Sequence, residues 1–472
     1  MSALAHDTFA DTRHTLAEEL ARFALALRYE DIPAAVRERA KHLILDAVGI
    51  ALASTTYPFA SVSFAAMQEL GTGTAPVIGI GRRLALRDAV LMNGILIHGL
   101  DFDDTHSRGI VHATSSSFPC ALALADRDEQ DGRALLAAYA VAMEVSTRLG
   151  AVAKGGFHQV GFHPTGLIGA FGCTLAAARL LGLDTDRATM AQGITLSMAS
   201  GSMEFLEDGA WTKRVHPGWA GVVGITAATL AKHGFVGPRG AYDGRFGLFA
   251  SHLGKYFEQA DLALATEELG RSWQINEVAV KPIPACHFTH AAADAAAALR
   301  NAHGLAVDEI RRVRVLVPQE VVKTICEPVA NKRNPANSYD AQFSLPYIVA
   351  TGLTKGRFTL AELEDDALED AAVLDLASRV DYEIDPASTF PRHYTGEVIV
   401  ETADGRTLRQ REGINRGCAD RPLSNGEIVA KFLANAERAL PRAAAERMRD
   451  AVLDFDRANA RALADALCAT TA

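Results

Sequence analysis

The sequence predicts a mainly α fold with an α+β lid: a large all-helical domain built from both chain ends, and a smaller α+β domain set between them. Three observations carry this. From about Thr15 to His233 apolar residues recur at three- and four-residue spacing, the period of one helix face. Near Ser272 the pattern turns to β-branched alternation, the period of a strand. After about Pro422 the helical spacing returns. Residues 1–270 and 410–472 are therefore assigned to the helical domain and residues 271–409 to the lid. A length of 472 residues suits two domains of ordinary size.

Taken in order, the first half is dominated by Ala and Leu, as in ALADRDEQDGRALLAAYAVAMEVSTRLGAVA, both strong helix formers. In HPTGLIGAFGCTLAAARLLGLD, Gly166, Gly169 and Gly172 fall on one helical stripe that another backbone can approach closely. In the lid, NEVAVKPIPA, RRVRVLVP, VDYEID and GEVIVETADGRTLRQREG read as strands. Asp404-Gly405 is a hairpin-turn signal, and THAAADAAAALRNA is a helix between strands.

Composition narrows the function classes. Hydrophobic residues make up 49% of the chain and charged residues 22%, as in a globular protein with a substantial core. The net charge is −10 and no Lys/Arg run is present, so the basic footprint of nucleic-acid binding is missing. The start, MSALAHDTFADTRHT, lacks the apolar stretch of a secretory signal. The longest weakly polar runs, near Ile44–Ala53 and Trp219–Ala231, fall short of the ~20 residues of a membrane span. The cysteines (Cys120, Cys173, Cys286, Cys326, Cys418, Cys468) form no C-x-x-C pair. Zinc-knuckle and thioredoxin readings have no support, and a cytoplasmic, reducing setting fits. Without a G-x-G-x-x-G after a strand, a Walker loop or a G-x-S-x-G elbow, nucleotide and serine-hydrolase chemistry have no anchor.

Five polar clusters remain. In NGILIHGLDFDDTHSRGIVHATSSSFP a helix runs in and a new one starts after Pro119. His98, Asp101 and Thr105 stand at i, i+3 and i+7, one face of a continuous helix, with His112 in a loop beside it. A carboxylate, a hydroxyl and an imidazole together suit proton transfer; the plainer reading is a polar helix end. In GFHPTG, His163 precedes a proline fitted to the first helical position, where free N–H groups attract carboxylates. In GAWTKRVHPGWA, Lys213, Arg214 and His216 lie between two Trp; Lys213 suits a carboxylate clamp, and Arg214 reads as solvated. In VKPIPACHFTHAAADAA, Lys281 is followed by Cys286, His287 and His290. Cys286 at a helix start predicts a lowered pKa and an acid or base role. His287 and His290 lack the further ligands a metal site needs. In NSYDAQFSLPYIVA, Tyr339, Asp340, Gln342 and Ser344 read as a capped, packed helix start.

These stretches, in order and together with LDAVGIALAS near residue 45, resemble the MmgE/PrpD family over roughly residues 40–350. That family includes 2-methylcitrate dehydratases, cis-aconitate decarboxylases and iminodisuccinate epimerases. The resemblance implies a helical domain, a lid, homodimers, and a pocket between domains with no metal and no organic cofactor. It carries over Asp101, Thr105, His112, His163, Lys213 and Lys281. The decarboxylase pattern has a His where this chain has Cys286.

The expected activity is a cofactor-independent lyase, a dehydratase or decarboxylase, acting on a small di- or tricarboxylate through proton transfer beside a carboxylate. Lys213, Lys281 and His287 bind substrate and Thr105 orients it. Asp101 and His112 are the proton-transfer pair, with His163 and Cys286 in support. An epimerase on the same fold and a non-catalytic helical binding protein are the alternatives. A magnesium-dependent terpenoid enzyme, suggested by DFDD, would need a second acidic motif, which is missing.

Overall fold

The computed structural model describes residues 14–469; most of the N-terminal stretch read for a signal lies outside them. The helices that matter for the site are α1 (Ala34–Ser54), α2 (Leu86–His98), α3 (Ala113–Arg127), α4 (Gly132–Val152), α5 (Pro164–Leu180) and α6 (Val215–Lys232). The α+β part contributes α7 (His290–His303) and α8 (Leu345–Lys355), and the C-terminal segment α9 (Asn425–Ala436). One contiguous hydrophobic core runs through all of them.

Helix α5 lies at the centre, packed against α3, α4 and α6. Pro164 opens it, where a missing N–H costs nothing and the fixed φ is already helical. A Cβ on Gly166 would stand 2.5 Å from the Ser200 carbonyl, one on Gly169 2.8 Å from Ser116 Oγ, and one on Gly172 2.4 Å from the Ala142 carbonyl. The stripe is therefore a close-packing surface, as its spacing predicts. Helix α4 starts where Asp131 accepts from the Ala134 N–H at 2.7 Å. It is the one described helix long and apolar enough by itself to cross a membrane, and it is wholly buried in the protein. The sequence reading took it for a helix but did not count it among the longest weakly polar runs; the Glu144–Arg148 pair it carries is buried with it.

Two expected boundaries move. Helix α3 begins at Ala113, not after Pro119, and carries Pro119 inside it. The Ser115 and Ser116 hydroxyls donate back to the His112 and Ala113 carbonyls, and complete burial of this turn outweighs its weak helix propensity. The stretch NEVAVKPIPA yields only the two-residue strand Val278–Ala279, paired antiparallel with Thr105–His106.

The other strands form where alternation predicts them: β1 (Ile310–Val317), β2 (Val380–Ile384), β3 (Gly396–Thr402) and β4 (Thr407–Glu412). Their order is β2-β1-β3-β4. β1 and β2 are parallel, the other neighbours antiparallel, and β3 and β4 form the Asp404-Gly405 hairpin. β4 crosses the 409/410 boundary drawn from the sequence. Helix α7 packs on β3 and β4, and α8 packs on α7. Helix α9 is closed by a capping box: the Ser424 N–H donates to Glu427 at 2.8 Å, and the Glu427 N–H to Ser424 Oγ at 3.3 Å. It lies against α1, returning the chain's end to the helical part.

Candidate active site

A cavity of about 450 Å³ lies between the helical and the α+β parts. Asp101, Thr105, His112, His163, Lys213, Lys281, Cys286 and His287, the eight residues given a catalytic or substrate-binding role from the sequence, all line it. They come from four separate stretches of chain.

Their route together differs from the one the spacing suggests. Helix α2 ends at His98, so His98, Asp101 and Thr105 do not share a helix face. The chain turns at Asp101, whose φ is +47°, a left-handed conformation Asp tolerates better than most residues. Thr105 then enters the short bridge to Ala279. His112 caps α3 instead of riding on a loop, and its N–H donates to Thr165 Oγ1 at 3.0 Å, just inside α5.

One carboxylate oxygen, Asp101 Oδ1, accepts from Lys213 Nζ at 2.6 Å and lies 3.1 Å from Lys281 Nζ. Oδ2 is buried with no hydrogen-bond partner among the described residues. Burial pushes this carboxyl up, but Lys213 and Lys281 outweigh it and hold it well below the usual carboxylate range. Such a group stays ionised and does not carry protons near neutral pH. The expected proton-transfer pairing of Asp101 with His112 is therefore corrected. The carboxylate within 4 Å of the His112 ring is Asp103, whose Oδ1 is 3.4 Å from Nδ1. Asp103 Oδ2 meanwhile accepts from His98 Nδ1 at 2.8 Å. Thr105 Oγ1 is 3.3 Å from the same His112 nitrogen. With Nδ1 turned to these oxygens, Nε2 is the nitrogen left to take a proton.

The imidazoles are crowded and buried. The His112 ring lies 4.7 Å from His98 and 5.9 Å from His163, and His163 Nδ1 lies 3.0 Å from His216 Nδ1. Burial, only partly offset by Asp103, lowers His112 to about 4. Burial and the neighbouring cations likewise lower His158 and His216 to about 4 and His287 to about 3. At neutral pH the cavity thus holds neutral rings beside two ammonium groups.

Cys286 corrects a second expectation. Burial, reinforced by Asp101, raises its thiol to about 11, so the helix start does not activate it and it remains a thiol. Arg214 is a third: it is buried, its guanidinium lies 4.5 Å from the Phe59 ring centre and 4.3 Å from that of Tyr339, and Nε donates to the Gly99 carbonyl at 2.8 Å. Tyr339 and Phe343 pack edge to face, and Ser344 caps α8 through the Tyr347 N–H at 3.0 Å, as read from the sequence.

Two buried sets bring ligating atoms within 4.8 Å of one another: His98, His112 and His163; and Asp101, Asp103 and His112. Among the described residues these are the groups placed so that they could gather around a metal ion. His287 and His290 are not among them. His290 donates Nε2–H to the Ala285 carbonyl at 3.1 Å, and His287 Nε2 accepts from Asn415 at 2.8 Å.

The site also contains residues the sequence reading passed over. His158 lines the cavity from the short helix Gly156–Val160. Its signal was a repeated Gly-Phe-His, at residues 156–158 and again at 161–163. Tyr394, Thr324 and Phe343 also line the cavity; Tyr394, whose hydroxyl donates to the Ser107 carbonyl at 2.9 Å, lies in a stretch with no motif.

Comparison with known proteins matches the chain in two parts. Residues 18–260 match the MmgE/PrpD N-terminal domain, and residues 283–457 the MmgE/PrpD C-terminal domain. The cis-aconitate decarboxylase-like protein oryM of Aspergillus oryzae is 28% identical over 93% of this chain and 94% of its own. The cis-aconitate decarboxylase of Homo sapiens is 29% identical over 90% and 89%. The 2-methylcitrate dehydratase of Salmonella typhimurium is 24% identical over 91% and 92%. With both halves matched in order around one cavity, the chain belongs to the MmgE/PrpD family.

Proposed function

We propose that the protein is a cofactor-independent lyase that acts on a small tricarboxylate, of the cis-aconitate or 2-methylcitrate kind, by forming a carbanion beside a carboxylate. The observation that carries this is the pair of ammonium groups on one Asp101 oxygen, facing a cavity of otherwise neutral imidazoles. Each ammonium has donors left for a substrate carboxylate. In a low-dielectric site such donors hold charge far more strongly than in water. When a C–H or C–CO₂⁻ bond breaks beside that carboxylate, the electron pair delocalises onto its oxygens, directly against Lys213 and Lys281.

His112 serves as the proton carrier. Asp103 and Thr105 fix Nδ1, so Nε2 accepts a proton in dehydration or, once protonated, delivers one after loss of CO₂. Bound carboxylates raise its pKa from the depressed value of the empty cavity by Coulomb attraction. His163, leaning on His216, is the second ring in reach of the substrate and assists at the departing or reprotonated group. Thr105, Thr324 and His287 orient the remaining carboxylates. The names of the relatives favour a lyase, with decarboxylation and dehydration as its two forms. A homodimer in a reducing compartment is part of the same proposal; the six cysteines are all free and buried.

Proton NMR in D₂O of EDTA-treated enzyme with cis-aconitate, 2-methylcitrate, citrate and iminodisuccinate tests the reading. Loss of CO₂ or water is expected from one of the tricarboxylates, with His112→Ala at least ~10²-fold slower. Deuterium exchange on iminodisuccinate alone would make the protein an epimerase instead. Silence on all four, without binding, would sink the proposal.

A further inference from the structure

Between helix α2 and the Thr105 bridge, four consecutive backbone carbonyls are each held by a side chain from a different part of the chain. Arg214 Nε donates to the Gly99 carbonyl at 2.8 Å. Gln342 Nε2 donates to Leu100, Lys281 Nζ to Asp101 at 2.7 Å, and Lys431 Nζ to Phe102 at 2.8 Å. All residues from Gly99 to Ser107 are buried. The carbonyls at a helix end are ordinarily satisfied by water or by a cap, and here buried side chains donate to those just beyond it.

The donors are themselves fixed. Lys431, on α9, pairs with Asp46 of α1 at 2.8 Å and lies over the Phe102 ring at 3.8 Å. The Arg214 guanidinium lies against Phe59 and Tyr339. Gln342 reaches further: its side-chain amide also donates to the Pro284 carbonyl at 3.1 Å, and its backbone carbonyl accepts from the Cys286 N–H at 2.8 Å. It thereby ties the Asp101 turn to the Lys281–His287 segment. Of the four donors only Lys281 lines the cavity.

At the centre of this rack Asp101 holds a φ of +47°. A non-glycine residue keeps such a conformation only where its surroundings over-determine it. We infer that Arg214, Gln342 and Lys431 are positioning residues that lock Asp101 in its left-handed turn, and through its carboxylate set where the Lys213 and Lys281 ammonium groups meet substrate. This rests on the lyase reading for its kinetic consequence, not for its structural one. The donors come from residues 214, 342 and 431, so the turn is assembled only when segments far along the chain are in place.

Gln342→Met tests it, since it keeps the volume and charge and removes only hydrogen bonds. The Lys431→Met change is made together with Asp46→Asn, so that no buried charge is left unpaired. Each is combined with Asp101→Asn in a double-mutant cycle on the substrate that turns over, and each is crystallised. Gln342→Met is expected to lower kcat/KM about 10-fold or more in the native background and less than about 2-fold in Asp101→Asn, since the two act through one group. Its structure should show Asp101 leaving positive φ and the Lys213 pair opening. Additive effects, or an Asp101 that stays in place in both variants, overturn the inference. If no substrate turns over or binds, the lyase reading fails and the crystal structures still decide the positioning role; a fully active Asp101→Asn overturns the kinetic part of the inference.

Discussion

Asp101 and Cys286 face the same cavity, yet their surroundings push them opposite ways. Two ammonium groups keep Asp101 ionised despite its burial, whereas burial keeps the Cys286 thiol protonated, up at about 11. The chemistry of each side chain is thus set by which charges stand beside it, a fact no motif records. Cys286→Ser is therefore expected to keep activity within about 10-fold of native, whereas Asp101→Asn loses at least ~10² in kcat/KM. Steady-state kinetics of the two variants checks this. A Cys286→Ser enzyme as crippled as Asp101→Asn would restore the thiol as an acid or base. The residue types were legible in sequence: Lys, His and Asp at element ends announced a polar site. Their pairing was not, because Asp101 meets Lys213 and Lys281 across 112 and 180 positions.

Among the elements, α5 shows how glycine spacing becomes structure. A Cβ on Gly172 would press on the Ala142 carbonyl and the Ser146 hydroxyl, whereas one on Gly426, in the first turn of α9, meets nothing. Gly172→Ala should cost about 1–3 kcal/mol through overpacking. Gly426→Ala should add about 0.4–1 kcal/mol by restricting the unfolded chain. Urea unfolding distinguishes the two, and equal effects would refute the packing account. Periodicity located α5, α7, α9 and the four-stranded sheet because each repeats its pattern over several turns or residue pairs. It failed between His98 and Ala113. There the chain bends within a few residues, and contacts from α5, Gln342 and Lys431 decide the path.

For the whole molecule, burying so many neutral imidazoles makes stability depend on pH. His112, His158 and His216 titrate at about 4 and His106 and His287 at about 3, mainly through burial. Unfolded, each returns to about 6.5. Their folded pKa values are depressed, so the unfolded chain binds more protons in between. Stability is full above about pH 6.5 and falls as pH drops toward 4. Asp104 and Glu144, both raised to about 7 by burial, act in the opposite sense, since their protonated folded forms favour folding below pH 7. Five histidines against two carboxyls leave a net uptake of about three or more protons on unfolding near pH 5. The unfolding free energy, measured by urea titration from pH 4.5 to 7, should rise with pH, and its slope near pH 5 should correspond to about that many protons. A flat profile would mean the rings are charged in the folded protein.

By itself the sequence determined the class of the fold, the helical and α+β stretches, and the residue types that would meet polycarboxylate chemistry. These follow from local period and local composition, which neighbouring residues impose on one another. Only the tertiary structure decided that α2 stops at His98 and that Asp103, not Asp101, stands beside His112. It also decided that Cys286 stays a thiol and that side chains from four distant stretches hold one buried turn. Hydrogen bonds and charges act over a few ångströms regardless of separation along the chain, so these outcomes depend on packing that the order of residues specifies only once the whole chain has folded.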